Sequence, residues 1–169
     1  MKRVQQAAQG VLTRSNRDLP IDVESIAQEL NIVVRLQALD STVSGVLVIK
    51  GDSAVVGVNA DHHPHRRRFT IAHELGHYVL HGAVSRVFID GSPMFYRDQH
   101  SADGSELEEI EANAFAAELL MPEGLVRDAV GGQLLDAFDD ATVRRLATQF
   151  AVSVQAMTIR LTKLGLLTL

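Results

Sequence analysis

Hydrophobic residues follow a strand-like pattern between residues 32 and 59. The segment IVVRL (32–36) is rich in β-branched residues and predicts a strand. The segments GVLVIK and AVVGVN lie on either side of Gly51-Asp52-Ser53, which predicts a hairpin over residues 45–59. Further along, VFI and MFY within residues 83–104 indicate a second, short hairpin. The sequence therefore predicts a small sheet in the first half of the chain.

Helical spacing characterises the segments around this sheet. Residues 1–30 are predicted to be helical, and Asp22 is placed to cap one of the helices. Residues 61–68 (DHHPHRRR) are polar and interrupted by proline, so we predict a loop there. A further helix is expected from about Thr70, and Gly82 suits its C-terminal end.

The second half of the chain is predicted to be almost entirely helical. Ser105 and Glu108 have the spacing of a capping box at the start of a helix that ends before Pro122. Pro122 is expected to open a short helix. Residues 133–163 are predicted to form two helices joined by a tight turn, with Ser153 capping the second. The predicted fold class is therefore α+β.

Composition narrows the classes of function and site. The chain has 169 residues, a formal charge of −5 and no cysteine. The negative balance disfavours direct binding to nucleic acid, and the lack of thiols excludes disulfides and thiolate metal sites. No apolar core follows the basic N-terminus, and no apolar run is long enough to span a bilayer. We therefore expect a cytoplasmic protein.

The segment FTIAHELGHYVLHG contains the pattern H-E-x-x-H. His73 and His77 are four residues apart, so on a helix they project from one face and can reach one ion. Glu74 lies beside that face, where a carboxylate suits the role of base for a water on the ion. Zinc is the natural metal for such ligands. The competing interpretation is a helix with half-buried, hydrogen-bonded histidines.

The third ligand is not fixed by this segment. His81 extends the row, but His73 to His81 spans about 12 Å, too far for one ion, so we expect a structural role for His81. The residue ten after His73 is Ala83, which excludes a third histidine there. A carboxylate from the next helix is expected, and Asn113 lies one turn beyond Glu109 as a hydrogen-bond partner. The candidates are Glu106, Glu108, Glu109, Glu111 and Glu118.

Two blocks together, RRRFTIAHELGHYVLHG and EEIEANAFAAELLMP, resemble the ImmA/IrrE family of zinc metallopeptidases. The resemblance implies a zincin-like fold in which His73, His77 and a glutamate of the second helix bind zinc. By position it matches that ligand to Glu109, with Glu111 as the nearest rival. It implies a zincin-like domain over residues 1–125 and a helix-turn-helix-like extension over 126–169. An added sensor domain is not expected, because the chain ends soon after these helices.

The resemblance also implies the activity and the partner. Well-known members cleave a helix-turn-helix repressor that is often encoded nearby, so a protein substrate is expected and a membrane partner is not. The alternatives are a metal-bound sensor or interaction module without turnover, and a DNA-binding regulator built on the last two helices. Only Arg160 and Lys163 are basic on the final helix, which is thin for DNA contacts.

Two further groups of residues have weaker indications. Tyr96, Arg97 and His100 lie between the two ligand helices and are candidates to stabilise an oxyanion. The histidines of DHHPHRRR (His62, His63 and His65) could bind a second metal, although their spacing favours a solvated loop.

Overall fold

The computed structural model describes residues 2–12, 18–82, 87–90, 102–136 and 139–168. Tyr96, Arg97 and His100, the candidates for oxyanion stabilisation, lie outside the described residues, as does the MFY half of the second predicted hairpin. The elements in chain order are α1 (Lys2–Leu12), α2 (Val23–Glu29), β1 (Ile32–Gln37), β2 (Gly45–Lys50), β3 (Ser53–Asn59), α3 (Pro64–His81), β4 (Val87–Asp90), α4 (Ala102–Leu120), α5 (Glu123–Val130), β5 (Leu135–Asp136), α6 (Asp140–Phe150), α7 (Val154–Lys163) and β6 (Leu167–Thr168).

The main sheet has four strands in the order β1-β3-β2-β4. Strand β1 runs parallel to β3, whereas β2 is antiparallel to both β3 and β4. Lys50 pairs with Ser53, so β2 and β3 form the predicted hairpin, and Gly51 takes the positive φ of 57° that its turn requires. The α+β prediction is confirmed, and the VFI segment joins the sheet as part of β4.

Helix α3 begins earlier than the sequence indicates. Its first residue is Pro64 rather than Thr70, so most of the predicted polar loop is helical. Proline suits this position because its φ is already helical and its missing N–H is not needed there. The side chain of His63 caps the helix by accepting a hydrogen bond from the backbone N–H of His65 at 3.2 Å. The arginines of this segment therefore lie on the first turns of α3.

Helix α4 also differs from the prediction at its start and on its packed face. It begins at Ala102, so Ser105 lies inside the helix and does not mark its N-cap. Once a helix is nucleated, each added residue gains a hydrogen bond, and upstream residues can join it. Leu107 and Ile110, which the apolar pattern assigns to the packed side, are more than half exposed. Phe115 and Leu119, which the same pattern places on the packed side, are buried. The other buried positions of α4 are Ala112, Ala116, Glu118 and Leu120.

The C-terminal helices pack on the end of α4. Residues 133–136 are not helical as predicted, because β5 pairs in parallel with β6 and Leu135 N–H donates to the Leu166 carbonyl at 2.9 Å. Ser153 caps α7 as expected. Arg160 on α7 is buried, pairs with the Glu118 carboxylate and donates from Nε to the Met121 carbonyl at 2.9 Å. The proposed division at residues 125 and 126 stays a prediction.

One hydrophobic core joins the sheet to helices from both halves of the chain. Its largest fully buried side chains include Phe115 of α4 and Phe150 of α6, together with Leu47 of β2 and Ile71 of α3. Burial of such side chains contributes roughly 1.5–3 kcal/mol each. Among the described residues, no helix combines the length and apolarity that a membrane crossing requires.

Candidate metal centre

Helix α3 buries the polar residues of its H-E-x-x-H segment. His73, Glu74 and His77 are almost completely inaccessible to solvent. The rings of His73 and His77 meet edge to face with centroids 4.7 Å apart, and their Nε2 atoms lie 3.0 Å from one another. Burying three ionisable groups on one helix is costly unless each finds a partner. The burial of these three residues therefore indicates a functional site and not a row of polar side chains on the protein surface.

Glu109 of α4 completes a group of three ligand atoms. Its Oε2 lies 3.3 Å from His73 Nε2, and its Oε1 lies 3.2 Å from His77 Nε2. Hydrogen bonding to His73, and then to His77, holds the pKa of Glu109 well below its usual range despite partial burial. The carboxylate is therefore ionised and can only accept hydrogen bonds or bind a cation.

The spacing of the ligand atoms of these three residues fits a small divalent cation. Ligand bonds of about 2.0–2.1 Å at tetrahedral angles separate the ligand atoms by about 3.3 Å. The two Nε2 atoms are 3.0 Å apart, and each lies 3.2 or 3.3 Å from one of the two carboxylate oxygens of Glu109. Two imidazoles and one carboxylate are ligands that zinc accepts in sites that leave a position open. These residues form the candidate metal group within the part of the chain that the structure describes.

The rival carboxylates lie elsewhere. Glu111 faces His81, with Oε2 3.6 Å from His81 Nε2. Burial lowers the pKa of His81, and the charges of Glu108 and Glu111 oppose that shift. The Glu118 carboxylate forms an ion pair with Arg160. The Asn113 side chain is exposed, and among the described residues it makes no side-chain hydrogen bond to Glu109, contrary to the expectation from its spacing.

The histidines of residues 61–68 do not form a second metal group among the described residues. His63 caps α3, and its ring lies edge to face against that of His65 with centroids 4.7 Å apart. These residues shape the start of the helix instead.

Close packing at Gly76 brings α4 to α3. A Cβ at this position would lie 3.1 Å from the Cα and carbonyl oxygen of Ala112, and 3.2 Å from Phe115 Cβ. The missing side chain thus sets the distance between the helices that carry the histidines and Glu109. Sequence reasoning missed this role. A glycine inside a helix costs about 1 kcal/mol relative to alanine, and that cost was a usable signal of a packing constraint.

Glu74 faces the start of β2. A Cβ on Gly45 would lie 2.9 Å from Glu74 Oε1 and 2.3 Å from the Thr70 methyl group, so only glycine fits there. Arg66, one turn before Thr70, donates from Nη2 to Ser44 Oγ at 2.7 Å. This contact fastens the residue before Gly45 to α3. Neither contact could be predicted from the sequence, because both join segments that are more than twenty residues apart.

Known proteins resemble this chain over most of its length. A family model described as Peptidase_M78: IrrE N-terminal-like domain matches residues 27–162, which is most of the chain. A protein of Bacillus phage phi105, "Uncharacterized immunity region protein 2", is 30% identical over 101 residues. The matched part is 60% of this chain and 59% of the phage protein, so less than two thirds of that protein's length is covered.

Proposed function

This chain belongs to the Peptidase_M78 family of IrrE N-terminal-like domains, and we propose that it is a zinc-dependent endopeptidase that cleaves a helix-turn-helix repressor. The observation that carries the zinc-dependent activity is the convergence of His73, His77 and Glu109 beside the buried Glu74. The ImmA/IrrE resemblance, which includes the intact H-E-x-x-H pattern, agrees with it.

His73, His77 and Glu109 would hold the metal ion. Their separations and their donor chemistry support zinc over magnesium or calcium, which prefer oxygen ligands. Zn²⁺ bound there supplies a Lewis acid that polarises a carbonyl and lowers the pKa of water. Glu109 is half-buried while both histidines are buried, so the group opens toward solvent on the α4 side.

Glu74 acts as the general base and then as the general acid. Its carboxylate takes a proton from the attacking water and delivers it to the amine of the leaving peptide segment. Gly45 lies next to this carboxylate, since a Cβ at that position would be only 2.9 Å from Glu74 Oε1. The backbone of β2 therefore limits the orientation of the carboxylate, and correct orientation lowers the barrier to proton transfer.

The edge of β4 is the proposed binding surface for the substrate backbone. Strand β4 lies at one edge of the four described strands, and its Asp90 pairs with Gly45, the residue that contacts Glu74. A substrate segment that adds to β4 as a further strand would therefore pass close to the general base. Main-chain hydrogen bonds to β4 would hold the substrate segment there, largely independently of the side chains that the segment carries.

The substrate class rests on the family and on the phage protein whose name refers to an immunity region. A DNA-bound repressor as substrate would place this chain in the cytoplasm, and we include that location in the proposal. Direct DNA binding by this chain is not part of the proposal. Arg160, one of the two basic residues of α7, is buried against Glu118 and unavailable to phosphates.

The direct test is incubation of the full chain with ZnCl₂ and a helix-turn-helix protein encoded beside it. We expect one or a few cuts, located by mass spectrometry, that a chelator abolishes and zinc restores. The matched control is Glu74→Gln, which should retain zinc and lose cleavage by at least about a thousandfold. Full cleavage by Glu74→Gln would contradict the proposed mechanism.

A further inference from the structure

An apolar cavity lies one helical turn from the metal ligand His73. It has a volume of about 410 Å³ and is lined by parts of three helices, namely the start of α3, the end of α4 and the start of α7. Its apolar lining comprises Phe69, Leu120, Met121, Val152 and Ala156. This volume falls within the range of roughly 300–1,000 Å³ that is typical of ligand pockets.

Phe69 connects the cavity to the metal centre. Its partly exposed ring lines the cavity, and its centroid lies 6.2 Å from that of His73 with the planes tilted by 33°. Phe69 and His73 are four residues apart, so both project from one face of α3. A chain that passes the metal ligands can therefore place a neighbouring side chain against Phe69.

The rim of the cavity is polar and carries one fixed positive charge, that of Arg66. The Arg66 guanidinium also donates from Nη2 to Ser44 Oγ at 2.7 Å. His63 and His65 complete the rim, burial lowers the pKa of His65, and among the described residues that line the cavity none is acidic. The N-terminal end of α3, which carries the partial positive charge of the helix dipole, also lies at this rim. This basic rim contrasts with the formal charge of −5 for the whole chain. It complements a carboxylate next to an apolar group.

We propose that this cavity is a specificity subsite that receives a large apolar side chain of the protein substrate with an acidic residue beside it. The proposal rests on the peptidase function proposed above. It also gives the C-terminal helices a role, because Val152 and Ala156 form one wall of the subsite. Helix α7 would then contact the substrate chain and would not bind DNA.

Binding can be measured without catalysis. The full chain carrying Glu74→Gln, loaded with zinc and labelled on methionine methyl groups, is titrated with N-acetyl-Asp-Phe-amide and N-acetyl-Asp-Ala-amide. Met121 lines the cavity, whereas Met157 is fully buried outside its lining and serves as an internal control. We expect a saturable shift at Met121, not at Met157, with the phenylalanine probe at least about tenfold tighter. Equal affinities would overturn the proposal.

Cavity variants identify the binding surface. Ala156→Leu fills the cavity and should remove the preference for phenylalanine, while Ala141→Leu on the exposed face of α6 should not. If Ala156→Leu does not fold, Val152→Ala enlarges the cavity and should favour a naphthylalanine probe. An unchanged preference in the folded variant tested would refute the assignment.

The rim is tested with N-acetyl-Asn-Phe-amide. The aspartate probe should bind roughly two- to fivefold tighter than the asparagine probe, the range of an exposed ion pair. Arg66→Gln should abolish that difference, and Arg144→Gln on exposed α6 should leave it. A difference that survives Arg66→Gln would overturn the role of the rim.

Cleavage separates this proposal from the peptidase function. The zinc-loaded chain is given a peptide library, with Glu74→Gln as the blank. We expect a large apolar residue at one fixed position from the cut, and a smaller one with Ala156→Leu. Cleavage without such a preference overturns the subsite and leaves the peptidase. Probe binding at Met121 without any cleavage supports the binding site and overturns the peptidase.

Discussion

Substitution of Gly76 is expected to separate α3 from α4 and to weaken the metal group. An alanine Cβ would lie 3.1 Å from Ala112 Cα and 3.2 Å from Phe115 Cβ. Carbon atoms prefer about 3.5–4.0 Å, so α4 must shift by about 0.4 Å or more. Metal–ligand distances stay within about 0.2 Å of their usual values. The shift displaces the backbone of Glu109 by more than this range relative to both histidines on α3.

The magnitude for alanine combines two opposing contributions. Overpacking costs about 1–3 kcal/mol, whereas replacing a helical glycine by alanine gains about 1 kcal/mol. Gly76→Ala should therefore lower the free energy of unfolding by only about 0–2 kcal/mol. Gly76→Val places two more methyl groups at the same contact than alanine does, and its gain in helix propensity is smaller. We therefore expect the free energy of unfolding to fall by at least about 2 kcal/mol.

The assay is zinc affinity by competition with a chelator, together with urea unfolding of the zinc-free chain. Zinc affinity should fall by about tenfold or more for each variant, equivalent to ~1.4 kcal/mol. Gly124→Ala is the matched control, because it is exposed on α5 and its Cβ would meet nothing within 4 Å. Wild-type affinity and stability in Gly76→Val would refute the argument that this glycine sets the helix spacing.

Three other outcomes are expected. Glu109→Gln should lower zinc content per chain, measured by elemental mass spectrometry, by at least about tenfold, while Glu111→Gln retains it; equal losses would reassign the ligand. Asp22→Ala should cost about 1 kcal/mol at pH 7 through loss of the α2 cap. Hydrogen bonding from Ser25 lowers the pKa of Asp22, so the stabilisation is complete above the unfolded-state pKa of about 3.9 and is lost as the pH falls through the folded-state pKa. Urea melts of the wild type and of Asp22→Ala should therefore converge in acid. A difference in stability that stays constant with pH would contradict this. Arg160→Met alone should cost about 3–5 kcal/mol in urea melts, and Glu118→Leu in the same chain should restore much of it, whereas a double variant as unstable as the single one would count against a buried charge penalty.

The sequence predicts a turn, two helix caps and the spacing of the histidines correctly, although not the first residues of α3 and α4, because the signals of the former are local. The hairpin of β2 and β3, the cap at Asp22 and the cap at Ser153 each depend on residues within a few positions. The spacing of His73 and His77 likewise needs only the geometry of one helix. These features could be predicted before any tertiary contact was known.

Features that depend on tertiary packing were predicted less well. The apolar pattern of α4 predicts Phe115 and Leu119 as buried, and both are, but it also assigns Leu107 and Ile110 to the packed side, where they are exposed. It does not predict Ala112, whose burial depends on the close approach at Gly76. The convergence of Glu109 on the histidines, like the clash that excludes a side chain at Gly45, is a property of two segments together. Residue spacing alone left five glutamates open, and the family resemblance selected Glu109.

The ion pair between Glu118 and Arg160 has a consequence for making fragments of this protein. A fragment cut after residue 125 would keep the Glu118 carboxylate, which is buried in the full chain, without its partner guanidinium from α7. An unpaired buried charge of this kind destabilises a fold by several kcal/mol. Arg160 of α7 is thus the counterion of a buried carboxylate on α4, the helix that carries Glu109. A shortened enzyme for crystallisation or engineering would first need a neutral residue at position 118.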